Sequence, residues 1–390
     1  MSFVPTARMR ARAAFIAAAF FSCAAVLPAG PEGAFKSDDI EVVLQFSLAP
    51  SGITVASDGS WILSVSQTEK PRARVVKVSK SGKVEPFPTE KISDAAPDAP
   101  FQLDAVEGLQ LGADGLIWML DNGRRSEFTP KLIAWNYEKN RLQHLHYFGQ
   151  PAVLPGSYLV DLVADPNLPF VYLSDPANGA DAALIVLDRT TGLSRRVLQG
   201  HASVIPDPSV KPGATRGGAE ARRIDGALTV PHAGVDAIAL DRKGEWLYYA
   251  PLRSDKLYRI KTEHLRSADL KPEKLAQEVQ TYATKPPATS ITLDNKGNVY
   301  VGDIEGRAIG VIDNDAKRTY RVLASDPRLI APDGLCFGTD GKLYFFSRSQ
   351  YVPNAAPGPS SAGTVSTGGT GSSLHSLYRM KALAPGRAGD

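Results

Sequence analysis

One pattern of apolar and polar positions recurs along the chain. A short apolar run is followed by a polar turn rich in Asp and Gly, and then by a second apolar run. The clearest copies span residues 52–63, with the turn Asp58-Gly59, and residues 108–120, with the turn Asp114-Gly115. Apolar runs joined by such turns are typical of β-hairpins, because Gly and Asp tolerate the positive φ angles of tight turns. Four further copies span residues 161–175, 237–252, 290–303 and 334–347.

Each hairpin is followed by a second pair of strand-like segments. Examples are residues 73–78 with 84–87, 131–137 with 142–148, 183–187 with 194–198, and 309–313 with 319–323. Units of four short strands repeated around an axis are the blades of a propeller. The sequence therefore predicts an all-β, six-bladed β-propeller of four-stranded antiparallel blades, with one short helix at residues 263–270.

A propeller must close its ring or leave an unpaired sheet edge. The strand-like segment 40–46 precedes the first hairpin, and the last copy ends in the strand-like segment 376–380. We therefore expect the N-terminal strand to join the last blade, within one propeller domain of residues 36–390. The Gly/Ser/Pro-rich segment 353–373 predicts a flexible loop, and the long connection 201–235 is a candidate cover for one face of the ring.

The N-terminal residues have the pattern of an export signal. Three arginines, Arg8, Arg10 and Arg12, precede an apolar run over residues 13–27 that Pro28 interrupts. Such a pattern predicts a signal peptide over residues 1–30 and a periplasmic or extracellular mature protein. Lipid attachment at Cys23 and an uncleaved membrane anchor are the alternatives. Cleavage would leave Cys336 as a single thiol, which excludes an internal disulfide.

The overall charge argues against some partners. The chain has 44 basic and 41 acidic residues and a net charge of +3, without a dense Lys/Arg stripe. We therefore expect no nucleic acid partner, no membrane contact beyond the export signal, and a monomer that binds a small molecule. Motifs of serine hydrolases, zinc peptidases and phosphate-binding loops are absent from the sequence, so whether the protein is an enzyme stays open.

Three motifs resemble those of a known family. They are Leu-Ile-Trp-Met-Leu-Asp-Asn-Gly at 116–123, Leu-Tyr-Tyr-Ala-Pro-Leu-Arg-Ser at 247–254, and Pro-Asp-Gly-Leu at 332–335. Over residues 104–349 the chain resembles the yellow and major royal jelly protein family. The resemblance implies a secreted six-bladed propeller; some insect members bind small amines in the central channel, and others are linked to pigment chemistry. Insect members usually carry disulfides, so their absence here indicates a distant branch, which we expect to be bacterial.

Acidic residues recur at one end of the predicted hairpins. In an antiparallel pair, the first strand starts where the second ends, so both points lie at the same mouth of the channel. The first strands start with Glu107, Asp161, Asp236 and Asp333, and with Ser290 in the fifth copy; the second strands end with Asp121, Asp175 and Asp303. We expect these carboxylates to converge on a ligand, with Tyr158 as an aromatic neighbour. The alternative is that they cap strand ends by accepting backbone N–H bonds.

Two classes of function fit this acidic mouth. A binding protein would hold a small, cationic ligand or a divalent metal such as Ca²⁺ there without turnover. An enzyme of the lactonase type would instead use a divalent metal to polarise a carbonyl, with a carboxylate moving the proton. A protein-docking platform on the long loops is a third interpretation. His144 and His146, two apart on one strand, are either a metal pair or residues of an outer strand.

Overall fold

The computed structural model describes residues 35–46, 49–66, 71–94, 99–124, 128–210, 233–347 and 375–390, and the backbone of 222–224, 227–229 and 363–365. The chain divides into two compact units, Met1–Glu32 and Gly33–Asp390, and the described residues all belong to the second. The predicted signal peptide and Cys23 therefore lie outside the described residues.

The described strands form six sheets of at least four strands, each of which is one blade. Strand β1 (Glu41–Phe46) comes before the first blade in the chain. The next three blades, each with its innermost strand first, are β2–β5 (Pro50–Val55, Trp61–Val65, Val75–Val78, Val84–Pro86), β6–β9 (Val106–Leu111, Leu116–Asp121, Lys131–Asn136, Arg141–Tyr147) and β10–β13 (Asp161–Ala164, Phe170–Asp175, Ala183–Asp188, Ser194–Val197).

A small two-stranded hairpin, β14 and β15 (Arg222–Ile224, Ala227–Thr229), separates blades 3 and 4. It lies within the connection 201–235. The remaining blades are β16–β19 (Val235–Leu240, Trp246–Pro251, Lys256–Lys261, Gln280–Thr284), β20–β23 (Ala288–Leu293, Val299–Asp303, Ala308–Ile312, Tyr320–Ser325) and, in blade 6, β24, β25, β26 and β27 (Asp333–Phe337, Leu343–Ser347, Gly363–Val365, His375–Met380). The predicted all-β, six-bladed propeller is confirmed.

The N-terminal strand closes the ring, as predicted. β1 pairs antiparallel with β27, from Glu41 opposite Arg379 to Phe46 opposite His375, and the two strands are also joined by the Glu41–Arg379 ion pair. Strand β26 pairs parallel with the outer side of β1, so residues 363–365 within the predicted flexible loop form a short edge strand. The rest of 353–373 lies outside the described residues.

The core consists of layers between neighbouring blades. Six clusters of buried apolar side chains are present, one at each of the six blade interfaces. Because each inner strand packs against a blade on either side, its residues are buried on both faces, as in β6 and β16. The fourth strands lie on the outside, and β9 is largely exposed. Each innermost strand contacts those of both neighbouring blades, including β24 with β2, so the ring is continuous.

The helices are short and lie between strands. A 3-10 helix spans Ser37–Asp39, and α1 (Glu90–Ser93) begins after Thr89, whose Oγ1 accepts the Ile92 N–H at 3.4 Å. The predicted helix at 263–270 is α2 (Thr262–Arg266), and a separate helix, α3 (Pro272–Gln277), follows it with proline in its first turn. No helix in the described ranges is long and apolar enough to cross a membrane.

The turns of the inner hairpins follow the chemistry that the sequence indicated. Gly115 has φ 74°, a conformation that a side chain would strain, and the Asp114 side chain accepts the Leu116 N–H at 3.2 Å. In blade 3, where the turn lacks Gly, Asp165 accepts the N–H groups of Asn167 and Leu168. These turns lie at one face of the ring, so the starts of the innermost strands lie at the other.

Candidate binding site at the acidic end of the central channel

A cavity of about 60 Å³ lies on the axis, enclosed by the six innermost strands. At the face opposite the turns it is lined by residues at or near the starts of these strands, namely Ser51, Glu107, Asp161, Ser290 and Asp333. Further along the axis it is lined by Gln110, Cys336 and Asp390. The structure therefore brings three of the predicted carboxylates, those of Glu107, Asp161 and Asp333, to one cavity.

Irregular pairing accompanies the strand starts at this end. The register between first and second strands shifts around Ser51, Glu107 and Asp236, and also between Ala288 and Ile291 in blade 5. Blade 6 shows the same kind of shift after Asp333, whereas blade 3 pairs regularly from Asp161. A bulge inserts an extra residue and re-aims its side chain, and bulges are over-represented beside functional sites. The shifts thus coincide with four of the five strand starts named from the sequence.

Glu107 is buried and is held by contacts from blades 1 and 3. Tyr158, in the segment before β10, donates its hydroxyl to Glu107 Oε1 at 3.3 Å. On the other side, a Cβ at Gly52 would lie 2.3 Å from the Glu107 carbonyl oxygen, so only glycine lets blade 1 approach this closely. The side chain is 4% exposed. Tyr158 therefore lies beside a carboxylate of the acidic mouth, as expected from the sequence.

Asp161 and Asp333 line the same cavity while also bonding to backbone. Asp161 Oδ1 accepts the Leu162 N–H at 2.9 Å, and its Oδ2 lies 3.4 Å from the Ile238 N–H of blade 4. Asp333 Oδ1 accepts the Gly334 N–H at 2.8 Å. These bonds fix the orientation of each carboxylate at the cavity wall. Asp161 and Asp333 therefore also accept backbone N–H groups, as the capping alternative predicted.

Asp236 is fully buried at the shifted start of β16. Its carbonyl oxygen accepts a hydrogen bond of 2.7 Å from the Ser174 hydroxyl of blade 3. The blade 4 part of the cavity wall is formed by Ile238, Ala239 and Leu240, which follow it. The structure thus places Asp236 near the strand start, as predicted, but it is not among the described residues that line the cavity.

The acidic residues at the ends of the second strands have different surroundings. Asp121 accepts the backbone N–H groups of Asp104, Ala105 and Gly123 and pairs with Lys131 at 2.9 Å, with both side chains buried. Asp303 accepts the Tyr320 hydroxyl at 2.7 Å and the Gly306 N–H at 2.7 Å. Asp175 is ion-paired with Arg196 at 2.6 Å. These are the contacts of strand-end caps, and none of these three residues is among those that line the cavity in the described part of the chain.

Within the described ranges, no group of three or more His, Cys, Asp or Glu side chains is arranged to hold a metal ion. His144 and His146 lie on the outer strand β9, where His144 stacks on Trp118 and His146 packs edge-on against Phe148. Burial lowers the pKa of both imidazoles. This agrees with the interpretation of the two histidines as outer-strand residues.

The other end of the cavity is formed by a segment that the sequence did not single out. The Gln110 amide donates to Asp390 Oδ1 at 3.2 Å, and Arg387 Nε donates to Asp390 Oδ2 at 2.7 Å. The backbone of Gly389 and Asp390 bonds to Phe337 of blade 6. Burial raises the pKa of the Asp390 carboxyl. Gly389 and Asp390 thus line this end of the cavity, and no local pattern in the sequence signals that position.

Comparison with known proteins assigns the family. The sequence profile of the major royal jelly proteins matches residues 106–375. The chain belongs to the major royal jelly protein family. The match covers blades 2–5 and part of blade 6, including every residue named from the sequence as a site candidate. No curated protein sequence matches this chain closely enough to count as a relative.

Solved structures with the same ring are distant in sequence from this major royal jelly protein. A luciferin-regenerating enzyme is 12% identical with a TM-score of 0.53, covering 90% of this chain and 97% of that one. A gluconolactonase of Xanthomonas campestris is 12% identical, with a TM-score of 0.50 over 87% and 89%. A calcium-binding regucalcin of Agrobacterium tumefaciens is 11% identical, with a TM-score of 0.50 over 89% and 99%. At these identities the likeness shows the fold alone.

Proposed function

We propose that this major royal jelly protein binds a small ligand through a protonated amine at the acidic end of its central channel, without turnover. The observation that carries the proposal is the convergence of Glu107, Asp161 and Asp333 on one axial cavity. Carboxylate oxygens in a partly dehydrated site attract an ammonium group more strongly than the same groups would in water. The amine binding known among insect members supports the same ligand class.

The size of the cavity limits what can enter it. About 60 Å³ is well below the roughly 150 Å³ of a protein cavity that holds benzene. An ammonium group with its first methylene fits that volume, whereas an aromatic ring does not. The rest of such a ligand would therefore lie outside the cavity, on the side of Tyr158, whose hydroxyl already contacts Glu107.

The metal-dependent lactonase has weaker support. The solved structures that share this fold include a gluconolactonase and a calcium-binding regucalcin, so Ca²⁺ is a reasonable probe. A metal held by three side chains, however, needs a donor cluster, and the described residues do not form one.

Calorimetric titration tests the proposal. Tyramine supplies the amine, and 4-ethylphenol, which lacks only the amino group, is the matched neutral probe; CaCl₂ is titrated separately. We expect tyramine to bind and 4-ethylphenol not to bind. Asp333→Asn and Glu107→Gln should each weaken tyramine binding by about tenfold or more, because a carboxylate–ammonium contact of this kind contributes about 1.5–3 kcal/mol.

Glu138→Gln is the control variant, because Glu138 lies in the turn between β8 and β9, away from the cavity, and its substitution changes the net charge equally. It should bind tyramine as the wild type does. Equal binding of tyramine and 4-ethylphenol, or Ca²⁺ binding without tyramine binding, would contradict the proposal. Thermal melts of each variant identify any loss of affinity that comes from unfolding.

A further inference from the structure

A second feature suited to a ligand lies on the outer rim, between blades 4 and 5. A surface groove of about 750 Å³ runs between the outer strand β19 and the turn that precedes β23. We call it the rim groove; its walls include Thr281, Tyr282, Thr284, Lys317, Arg318 and Thr319. It is separate from the axial cavity and shares no lining residue with it in the described ranges.

The charged side chains of the rim groove are all basic. Lys317 and Arg318 form one wall, and Lys285 lies buried beneath it, where its Nζ donates to the carbonyl oxygens of Ser254 at 3.2 Å and Pro286 at 3.1 Å. No Asp or Glu is among the described residues that line the groove. The wall is therefore suited to an anion, and its threonine hydroxyls can donate or accept further hydrogen bonds.

Basic and aromatic side chains continue from the groove across blade 4. The Arg318 guanidinium lies 4.6 Å from the centroid of the Tyr282 ring, and that of Arg259 lies 5.0 Å from the same centroid. Arg259 also lies 4.1 Å from the Trp246 centroid, and Lys261 Nζ lies 5.9 Å from it. The result is a row in which cations and rings alternate: Arg318, Tyr282, Arg259, Trp246 and Lys261. Of these, Lys261 is also ion-paired with Glu263 at 3.1 Å. A guanidinium stacked on a ring keeps N–H groups along its edge for a carboxylate.

Local hydrogen bonds hold this row in place before any ligand binds. Asp315 Oδ1 accepts the backbone N–H groups of Lys317 at 2.9 Å and Arg318 at 2.8 Å, which fixes the turn that carries them. Arg259 Nε donates to Gln280 Oε1 at 3.1 Å. Side chains that are already ordered lose less entropy on binding, so each contact they make contributes more to affinity.

We propose that the rim groove and the row of cations beside it bind an acidic polysaccharide through the carboxylates of successive uronate residues. A row of cations matches a chain of repeated charges better than a single compact anion. The hydroxyl-bearing wall matches the hydroxyl groups of sugar rings. A nucleobase, by contrast, would have to displace a guanidinium to stack on Tyr282.

Binding of oligogalacturonate, measured by calorimetry, tests this assignment. The matched neutral probe is fully methyl-esterified oligogalacturonate, which keeps the sugar chain and lacks the charge, and a DNA duplex is the second polyanion. We expect only free oligogalacturonate to bind, and added salt to weaken the binding because exposed charges are screened.

Two double variants, one in the groove and one outside it, remove the same charge and alter the same kinds of backbone position. Lys317→Gln combined with Arg318→Asn removes two cations from the groove, with Asn chosen because Arg318 has φ 49°. The control combines Lys296→Gln with Arg307→Asn, since both are exposed residues of the same blade and Arg307 has φ 48°. We expect the first pair to weaken binding by about tenfold or more and the control to change it less than about twofold.

Three results would overturn the assignment: no binding of free oligogalacturonate, equal binding of the methyl ester or of DNA, or unchanged binding by the groove pair. None of these depends on the axial cavity. Titration of the same samples with tyramine therefore shows whether the amine site binds its ligand independently of the result at the rim groove.

Discussion

Carboxylates at one end of the blades differ in what they contact. Those at the ends of the second strands, such as Asp121, bond to several backbone N–H groups and to a buried cation. Three of those at the starts of the innermost strands, Glu107, Asp161 and Asp333, line the axial cavity. Both groups consist of carboxylates, so only the strand position and its pairing separate a cap from a candidate ligand contact.

Substitution of Asp121 should affect stability and leave ligand binding unchanged. In Asp121→Asn, the buried Lys131 loses a charged partner, so we expect the free energy of unfolding to fall by about 3 kcal/mol. Tyramine affinity of the folded variant should stay within about twofold of the wild type. Urea unfolding and calorimetry measure the two quantities. A loss of affinity without a loss of stability would show that Asp121 contributes to ligand binding.

Lys285 should make stability depend on pH in the alkaline range. Burial lowers the pKa of its ammonium from 10.5 to about 8, while nearby Asp255 and Asp303 act in the opposite direction. Between these two values the unfolded chain binds more protons than the folded one, so the free energy of unfolding should rise with pH from about 8 to 10.5. The size of this rise is on the order of 3 kcal/mol.

Lys285→Met isolates that contribution. The variant should lack the rise, and it also loses the hydrogen bonds to the carbonyl oxygens of Ser254 and Pro286. Denaturant unfolding of both proteins at a series of pH values gives the difference between them. A difference that stays constant from pH 8 to 10.5 would show that the pKa of Lys285 is not lowered by burial.

At the scale of elements, the structure depends on a strand that is distant in the chain from the blade it completes. β1 is separated from β27 by the rest of the propeller, yet it supplies the buried Leu44 and Phe46 to the interface between blades 6 and 1. A chain that begins at residue 49 would lose both side chains and expose β27 to edge-to-edge pairing.

We expect that truncation to lower the free energy of unfolding by several kcal/mol, on the order of 5 kcal/mol or more. The control is a chain that begins at residue 35, which keeps β1. Differential scanning calorimetry of the two chains, with gel filtration to detect aggregation, is the measurement. Equal melting temperatures would show that β1 does not close the ring.

The elements show what a single sequence predicts and what it does not. The inner hairpins, the closing strand and the acidic strand starts were predicted because alternation, Asp-Gly turns and antiparallel geometry are local or nearly local rules. The register shifts at Glu107 and Asp236 were not, because a bulge depends on hydrogen bonds between strands. α3 was missed because its six residues are too short for a helical period to show. Asp390 was missed because its contacts, Gln110 and Phe337, are remote in the chain.

For the whole molecule, the ring separates two surfaces of opposite character. The axial cavity collects carboxylates from blades 2, 3 and 6 at the face opposite the turns, whereas the rim groove between blades 4 and 5 collects cations. A propeller can separate the two charges because the starts of the innermost strands converge at the axis, whereas the outer strands diverge at the rim. The net charge of +3 gives no indication of the separation.

The most direct test of the amine site is a crystal structure of the protein with tyramine. The account predicts the ammonium nitrogen within hydrogen-bond distance, about 2.7–3.2 Å, of at least two of the carboxylates of Glu107, Asp161 and Asp333, with the ring outside the cavity on the side of Tyr158. Tyramine bound elsewhere, or in the mouth with its ring rather than its ammonium toward the three carboxylates, would contradict it.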